Sequence, residues 1–355
     1  MSTLKVAALQ GLSASSDAIT LANDGTCTAN ITNNLSNRNV VINGEFQIAQ
    51  RATSTANITS DGYYTVDRWV TNIGTAGTWT QSQSTDVPAG TPFRSSLKMD
   101  CTTADASLAA GDRLMISQRL EGQDVQRFGK GTTSPKKFAL SFWVKSPKTG
   151  THIVELFDHD NSRHICKAYT IASADTWEQQ KLIIDNETSN AFGNDNGKSF
   201  QIFFYLAAGS TYTSGTLATS WAANTNANRA VGQVNVADST SNVFYLTGVK
   251  LEASNVCTDF EHLSFTEELL RCQRYYWRKP FSGETNEYIF GGKYGSAETI
   301  IWYSLPVKMR SNPTLTYGEV RTTTGFENIA SRYMLQVKMQ ATNGYVMNPI
   351  LDAEL

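Results

Sequence analysis

The sequence predicts an all-β protein: a jelly-roll β-sandwich, a short linking helix and a small C-terminal β domain. Three observations carry that prediction. Apolar residues alternate with polar ones over many short runs, the period of a half-buried strand. Stretches rich in Asn, Thr, Ser and Gly separate the runs, and such residues favour turns. Helical periodicity stands out in a single segment, residues 260–277.

Residues 1–38 have their own texture, small and polar, with Asn-Asp-Gly turns. Ile19, Leu21, Ile31 and Leu35 are too sparse to close a core. The segment is expected either to be disordered or to order against another chain, as an anchoring or oligomerising strand would. Residues 1–15 make a poor signal peptide.

A long β region begins at Asn39 and runs to about 262. Residues 137–144 (KFALSFWV) place Phe138, Leu140, Phe142 and Val144 on one face. Residues 151–157, 177–184, 199–206 and 241–251 read as further strands. Many strands at this spacing with no helix between them indicate a jelly-roll sandwich over residues 39–262.

The linking helix, residues 263–279, opens on Ser264 with Glu267 three positions on, a capping box. Phe265, Leu269, Cys272 and Tyr276 share one face, and Pro280 ends the pattern. Tyr275, Tyr276 and Trp277 read as docking contacts of that helix. Residues 280–355 return to β, with runs at 287–291, 298–307, 314–318 and 332–341. About 75 residues form a small core, so this block is expected to pack on the helix, on the sandwich or on its copies.

The chain has 355 residues, 17% of them charged, and a net charge of −2. That leaves no basic footprint for nucleic acid, and no run reaches the ~18 apolar residues of a membrane span. The five cysteines, without CxxC spacing, read as free and mostly buried thiols of a protein assembled in a reducing cytosol. No GxSxG, P-loop, GxGxxG or HExxH stands in its required setting, so neither enzyme nor cofactor is expected.

Six pieces, in order, resemble bacteriophage tail-fibre proteins. They are NGEFQIAQR (43–51) with YTVDRW (64–69), ISQRLEG (116–122), ALSFWVKS (139–146), VKLEASNVCTDFE with EELLRCQRYYW (249–277), LPVKMRSNPTL (305–315) and LDAEL (351–355). The sandwich also resembles the jelly roll of carbohydrate-binding modules. The resemblance implies a non-enzymatic virion protein, a homotrimeric tail fibre assembled in the host cytoplasm. It would join other tail or virion proteins through residues 1–38 and attach to a host surface glycan. The alternatives are a virion component without a receptor (decoration, knob or tail adaptor) and a polysaccharide-degrading fibre.

Aromatics in polar loops are the candidate glycan contacts: Tyr63, Trp79, Tyr212 and Trp221, with Tyr64 beside them. Trp69, Trp143 and Trp177 read as core. Asp158 and Asp160, near Glu155 and His164, read as a hairpin turn; a calcium site, which the module resemblance implies, is the alternative. Glycosidase pairs would be Glu155 with Asp158 or Glu252 with Glu261, and neither has a supporting motif. Arg51, Asp67 and Arg68 read as a structural ion pair or loop pin.

Overall fold

The computed structural model describes residues 6–15, 17–21, 23, 27–29, 37–279, 288–294, 298–321, 324–340 and 345–355. It opens on a three-stranded meander, β1 (Ala8–Gln10), β2 (Asp17–Leu21) and β3 (Cys27–Ala29). Among the described residues, the side chains of β1 and β2 are exposed or half-exposed, as so few apolar residues require. Ile31 and Leu35 lie outside the described residues.

The sandwich strands follow: β4 (Ser54–Ile58), β5 (Gly62–Tyr63), β6 (Val70–Gly74), β7 (Thr78–Ser84), β8 (Ser96–Thr103) and β9 (Arg113–Glu121). Next come β10 (Phe138–Lys145), β11 (Gly150–Asp158), β12 (Arg163–Ile171), β13 (Glu178–Ile184), β14 (Lys198–Ala208), β15 (Ala222–Ala223) and β16 (Val243–Ala253). They form a six-stranded sheet, β13-β10-β16-β8-β7-β4, and a seven-stranded sheet, β15-β12-β11-β14-β9-β6-β5. The pairs are antiparallel, and alternation sends one side of each strand into the space between the sheets. There Phe138 stacks on Phe200 at 5.4 Å and Phe142 meets Phe204 edge-on at 5.0 Å. The all-β sandwich read from the sequence is the fold observed.

Two local expectations change. Residues 39–51 form no strand; their backbone is held by side chains instead. Asn43 donates to Ile48 O and Asp67 O, accepts from Ile48 N, and its carbonyl takes the Trp69 indole N–H at 3.0 Å. Trp143 and Trp177 are half-buried rather than core. The inward positions of β10 are already filled by Phe138, Leu140, Phe142 and Val144, so Trp143 faces out. Trp177, just before β13, bonds Asp86 Oδ1 at 2.9 Å.

The linking helix spans Phe265–Gln273 and carries the expected capping box in both directions. Its buried residues, however, are Glu268 and Cys272, and Phe265 is half exposed. Glu268 turns inward because Asn43 N–H reaches its carboxylate at 2.6 Å. Tyr276 is not on the helix. It begins β17 (Tyr276–Arg278), which pairs with residues 350–352. That pairing, not Pro280, ends the helical run.

Beyond β17 come β18 (Tyr288–Phe290), β19 (Gly292–Tyr294), β20 (Glu298–Ser304), β21 (Thr314–Thr316) and β22 (Glu319–Arg321). The last four are β23 (Thr324–Ala330), β24 (Met334–Gln340), β25 (Tyr345–Met347) and β26 (Ile350–Asp352). They form three small sheets around Trp277, Ile301, Leu335, Val337, Val346 and Leu351.

Residues from several of the pieces quoted above meet at the seam between this block and the sandwich. Arg51 pairs with Asp352 at 3.4 Å and Glu354 at 3.3 Å, and buried Arg68 pairs with Glu354. Arg119 Nη1 donates to Leu355 O, and Gln50 donates to Tyr276 O. Arg274 grips Glu121 through two nitrogens, and Tyr275 OH donates to it at 2.6 Å. All five cysteines are free. Among the described residues no helix is long and apolar enough to cross a membrane.

Candidate functional site

The outer face of the seven-stranded sheet is where polar side chains collect on rigid strands. Leu114, Ile116 and Leu120 of β9 point inward, so Met115, Ser117 and Arg119 point out. The same rule turns Gln201, Phe203 and Tyr205 of β14 outward, with Ile153, Glu155 and Phe157 of β11 beside them.

A hydrogen-bonded ladder crosses this face from strand to strand. Asn72 on β6 donates to Asp61 at 3.3 Å and accepts from Ser117 Oγ at 2.7 Å. Gln201 donates to Ser117 Oγ at 2.8 Å, and its Oε1 lies 2.8 Å from His159 Nε2. Burial holds His159 down at about 4, so the ring is neutral near pH 7. The ladder fixes each amide, and each amide nitrogen keeps a second N–H.

Part of this face is covered by residues 209–231, which follow β14. A backbone bond from Cys166 N to Ala218 O ties this cover to β12. Beneath it Ile153, Phe157, Phe203 and Tyr205 form a satellite core with Tyr212 of the cover. Glu155 is the polar anchor. Arg229 forks onto it at 2.8 to 3.1 Å, Tyr205 OH donates at 2.9 Å, and His164 Nδ1 lies at 2.8 Å. Burial alone raises Glu155, but His164 and Arg229 outweigh it and leave its pKa lowered. Glu155, His164 and Cys166 offer ligand atoms within 4.8 Å of one another. The guanidinium already occupies the carboxylate, so the cluster acts as a latch on the cover.

Beside the cover lies a groove of about 320 Å³. Met115, Gln201 and Phe203 make its floor, and Tyr212 with Arg113 makes one wall, joined by a 3.0 Å bond from Arg113 Nη1 to Tyr212 OH. Arg119, Arg229 and exposed Asn226 complete the rim.

Of the aromatics singled out in the sequence, Tyr212 lines this groove. Trp79 does not: it is wholly buried in the sandwich core, its indole N–H on Ala76 O at 2.7 Å. Alternation along β7 turns it inward, which corrects its place among ligand contacts. Tyr63 sits in the seam, its OH 3.4 Å from Leu355 O, with burial pushing its pKa to about 12. Trp221 edges the core, donating to Asp185 O at 2.8 Å with Lys130 Nζ 4.7 Å above its ring. Sequence reasoning missed Arg113, Asn72 and Gln201. The signal available was the polar side of the β9 run, Ser117 and Arg119 between apolar neighbours.

Asp158 and Asp160 stand where β11 turns into β12. Asp158 takes Lys130 Nζ at 2.6 Å and Asn161, and Asp160 takes Gly193 N at 2.7 Å. A lysine supplies the cation there, so the turn reading fits these contacts and a calcium ion does not.

No family model and no curated protein matches the chain. Among solved structures, it is similar to a putative sugar binding protein from Bacteroides thetaiotaomicron VPI-5482, with 13% identity and a TM-score of 0.33 over 61% of this chain and 100% of that one. The enzymatically active domain of bacteriophage CBA120 tailspike protein 4 gives 14% and 0.32 over 60% of this chain. The match spans 21% of that tailspike chain. The family 11 carbohydrate-binding module of a Clostridium thermocellum cellulosomal cellulase gives 12% and 0.28 over 59% and 98%. At these scores the likeness carries no inference about what this protein does.

Proposed function

We propose that the protein is a non-catalytic attachment protein of a bacteriophage virion, a tail fibre that holds a host surface glycan in the groove of the seven-stranded sheet. One observation carries the reading: the immobilised amides of Asn72 and Gln201, largely buried, line the groove beside the Phe203 and Tyr212 rings. Ring faces suit the C–H surface of a sugar, and aimed N–H groups suit its hydroxyls.

Binding, not hydrolysis, is supported by where the acids are. The paired carboxylates considered from sequence are committed elsewhere. Glu155 is held by Arg229, and Asp158 by Lys130. Glu252 is held by Thr258, and Glu261 by Arg38 N. A glycosidase needs two free carboxyls ~5–10 Å apart across the bond it breaks.

A shallow groove binds weakly, and attachment becomes firm through several copies. In this reading the fibre is a homotrimer joined to other virion proteins through residues 1–38, and avidity multiplies each contact by ~10²–10⁴. The second reading is a virion component without a receptor. What favours it is that Arg51, Arg68, Glu121, Arg274 and Glu354, all from the tail-fibre-like pieces, lie in the seam and not in the groove. Glycan-array and whole-cell binding by purified oligomer decides between them. Binding supports attachment; absence of binding to every glycan and to host cells leaves the structural role.

A further inference from the structure

The following rests on the glycan reading of the groove and names the class of sugar. We infer that the groove takes a glycan bearing an anionic group, and that Arg113 receives that group.

The argument is one of uncommitted positive charge. Three arginines line the groove, and of these Arg229 is neutralised by Glu155. Arg113 has no carboxylate within ion-pair distance among the described residues. Its side-chain hydrogen bond goes to a hydroxyl, Tyr212 OH. That bond holds the fork at the groove wall. Half-buried and lining the groove, the fork keeps donors to spare, which a carboxylate or sulfate oxygen pair can take.

The far end of the groove is also cationic. Arg119 donates through Nη1 to Leu355 O, while its Nε is buried without a partner. Lys198 stands close enough that burial and then the Arg119 charge lower its pKa. Among the described residues no acid lines the groove, and Asp61 and Asp112 are turned to neutral donors. Asp61 accepts from Ile73 N at 2.7 Å and from Asn72, and Asp112 accepts from Thr75 and from Ala109 N. A chain of net charge −2 thus gathers positive charge at one groove. Neutral hydroxyls would leave that charge unanswered, whereas an acidic sugar answers it.

The test is binding of the full chain to immobilised polygalacturonate, dextran sulfate and neutral dextran, at low and at high salt. The expected result is retention on at least one anionic polymer, little on neutral dextran, and a marked fall at high salt. Arg113→Ala lowers anionic binding by about tenfold or more, and Arg113→Lys restores part of it. An unchanged thermal midpoint shows that each variant folds. Equal binding to neutral dextran, or an Arg113→Ala protein that binds as before, overturns this inference and leaves the glycan reading intact. No binding to any of the polymers, nor to a neutral-glycan array, overturns both. The polygalacturonate and sulfate arms tell which anion the fork accepts.

Discussion

Asn43 and Gly44 show how single residues hold this fold. The Asn43 side chain replaces a strand ladder for residues 43–48, and Gly44 lets the backbone pass against β16. A Cβ at Gly44 would stand 2.2 Å from Val249 O, which is backbone and cannot move aside. Gly44→Ala is expected to cost about 1–3 kcal/mol, the range of overpacking, as a lowered midpoint in urea unfolding. Asp67 gives a pH signature. Burial holds its pKa up at about 7 although Arg51 and Gln50 pull it down. The folded value exceeds the ordinary 3.8, so its contribution is full below that value and is lost as pH rises through about 7. Stability of the native chain minus that of Asp67→Asn is therefore expected to shrink between about pH 4 and pH 8. A difference flat across that range contradicts the assignment.

At the scale of elements, strands were legible wherever alternation was clean. β10, β11, β13, β14 and β16 lie within a residue or two of where the pattern placed them. What misled was a pattern without knowledge of partners. Tyr276 continued the helical stripe, but strand pairing with β26 claimed it. Trp79 looked like a loop aromatic because its neighbours are Thr, Gly and Gln, and β7 turns it into the core. The groove was half legible, since Tyr212 was visible and the ladder was not. Asn72, Ser117 and Gln201 come from three strands, and only the fold brings them together. The cover formed by residues 209–231 has Glu155 as its charged anchor. Arg229→Met leaves Glu155 buried without its cation, and loss of one partner from such a pair costs about 3–5 kcal/mol. The expected outcome is faster hydrogen exchange and proteolysis within 209–231, with β9 and β14 still protected.

At the scale of the molecule, the seam explains why widely separated pieces of sequence belong together. Arg51, Arg68, Arg119, Glu121, Arg274 and Glu354 are distant in the chain and adjacent in space. Removing residues 351–355 strands buried Arg68 and unpins the distal block. Two separated unfolding transitions, or one lowered by several degrees, are expected by calorimetry. The sequence showed the seam only as charged residues beside apolar strands, because an ion pair has no periodicity.

The central claim is that the groove of the seven-stranded sheet, and no other face, holds the glycan. Its most direct measurement is the affinity of a host-derived glycan for the native oligomer and for Tyr212→Ala and Asn226→Ala, each first shown to keep its thermal midpoint. The account predicts a loss of about tenfold or more for Tyr212→Ala, about 1.4 kcal/mol, with a smaller loss for Asn226→Ala at the rim. Undiminished binding by both variants would place the ligand elsewhere and contradict the account.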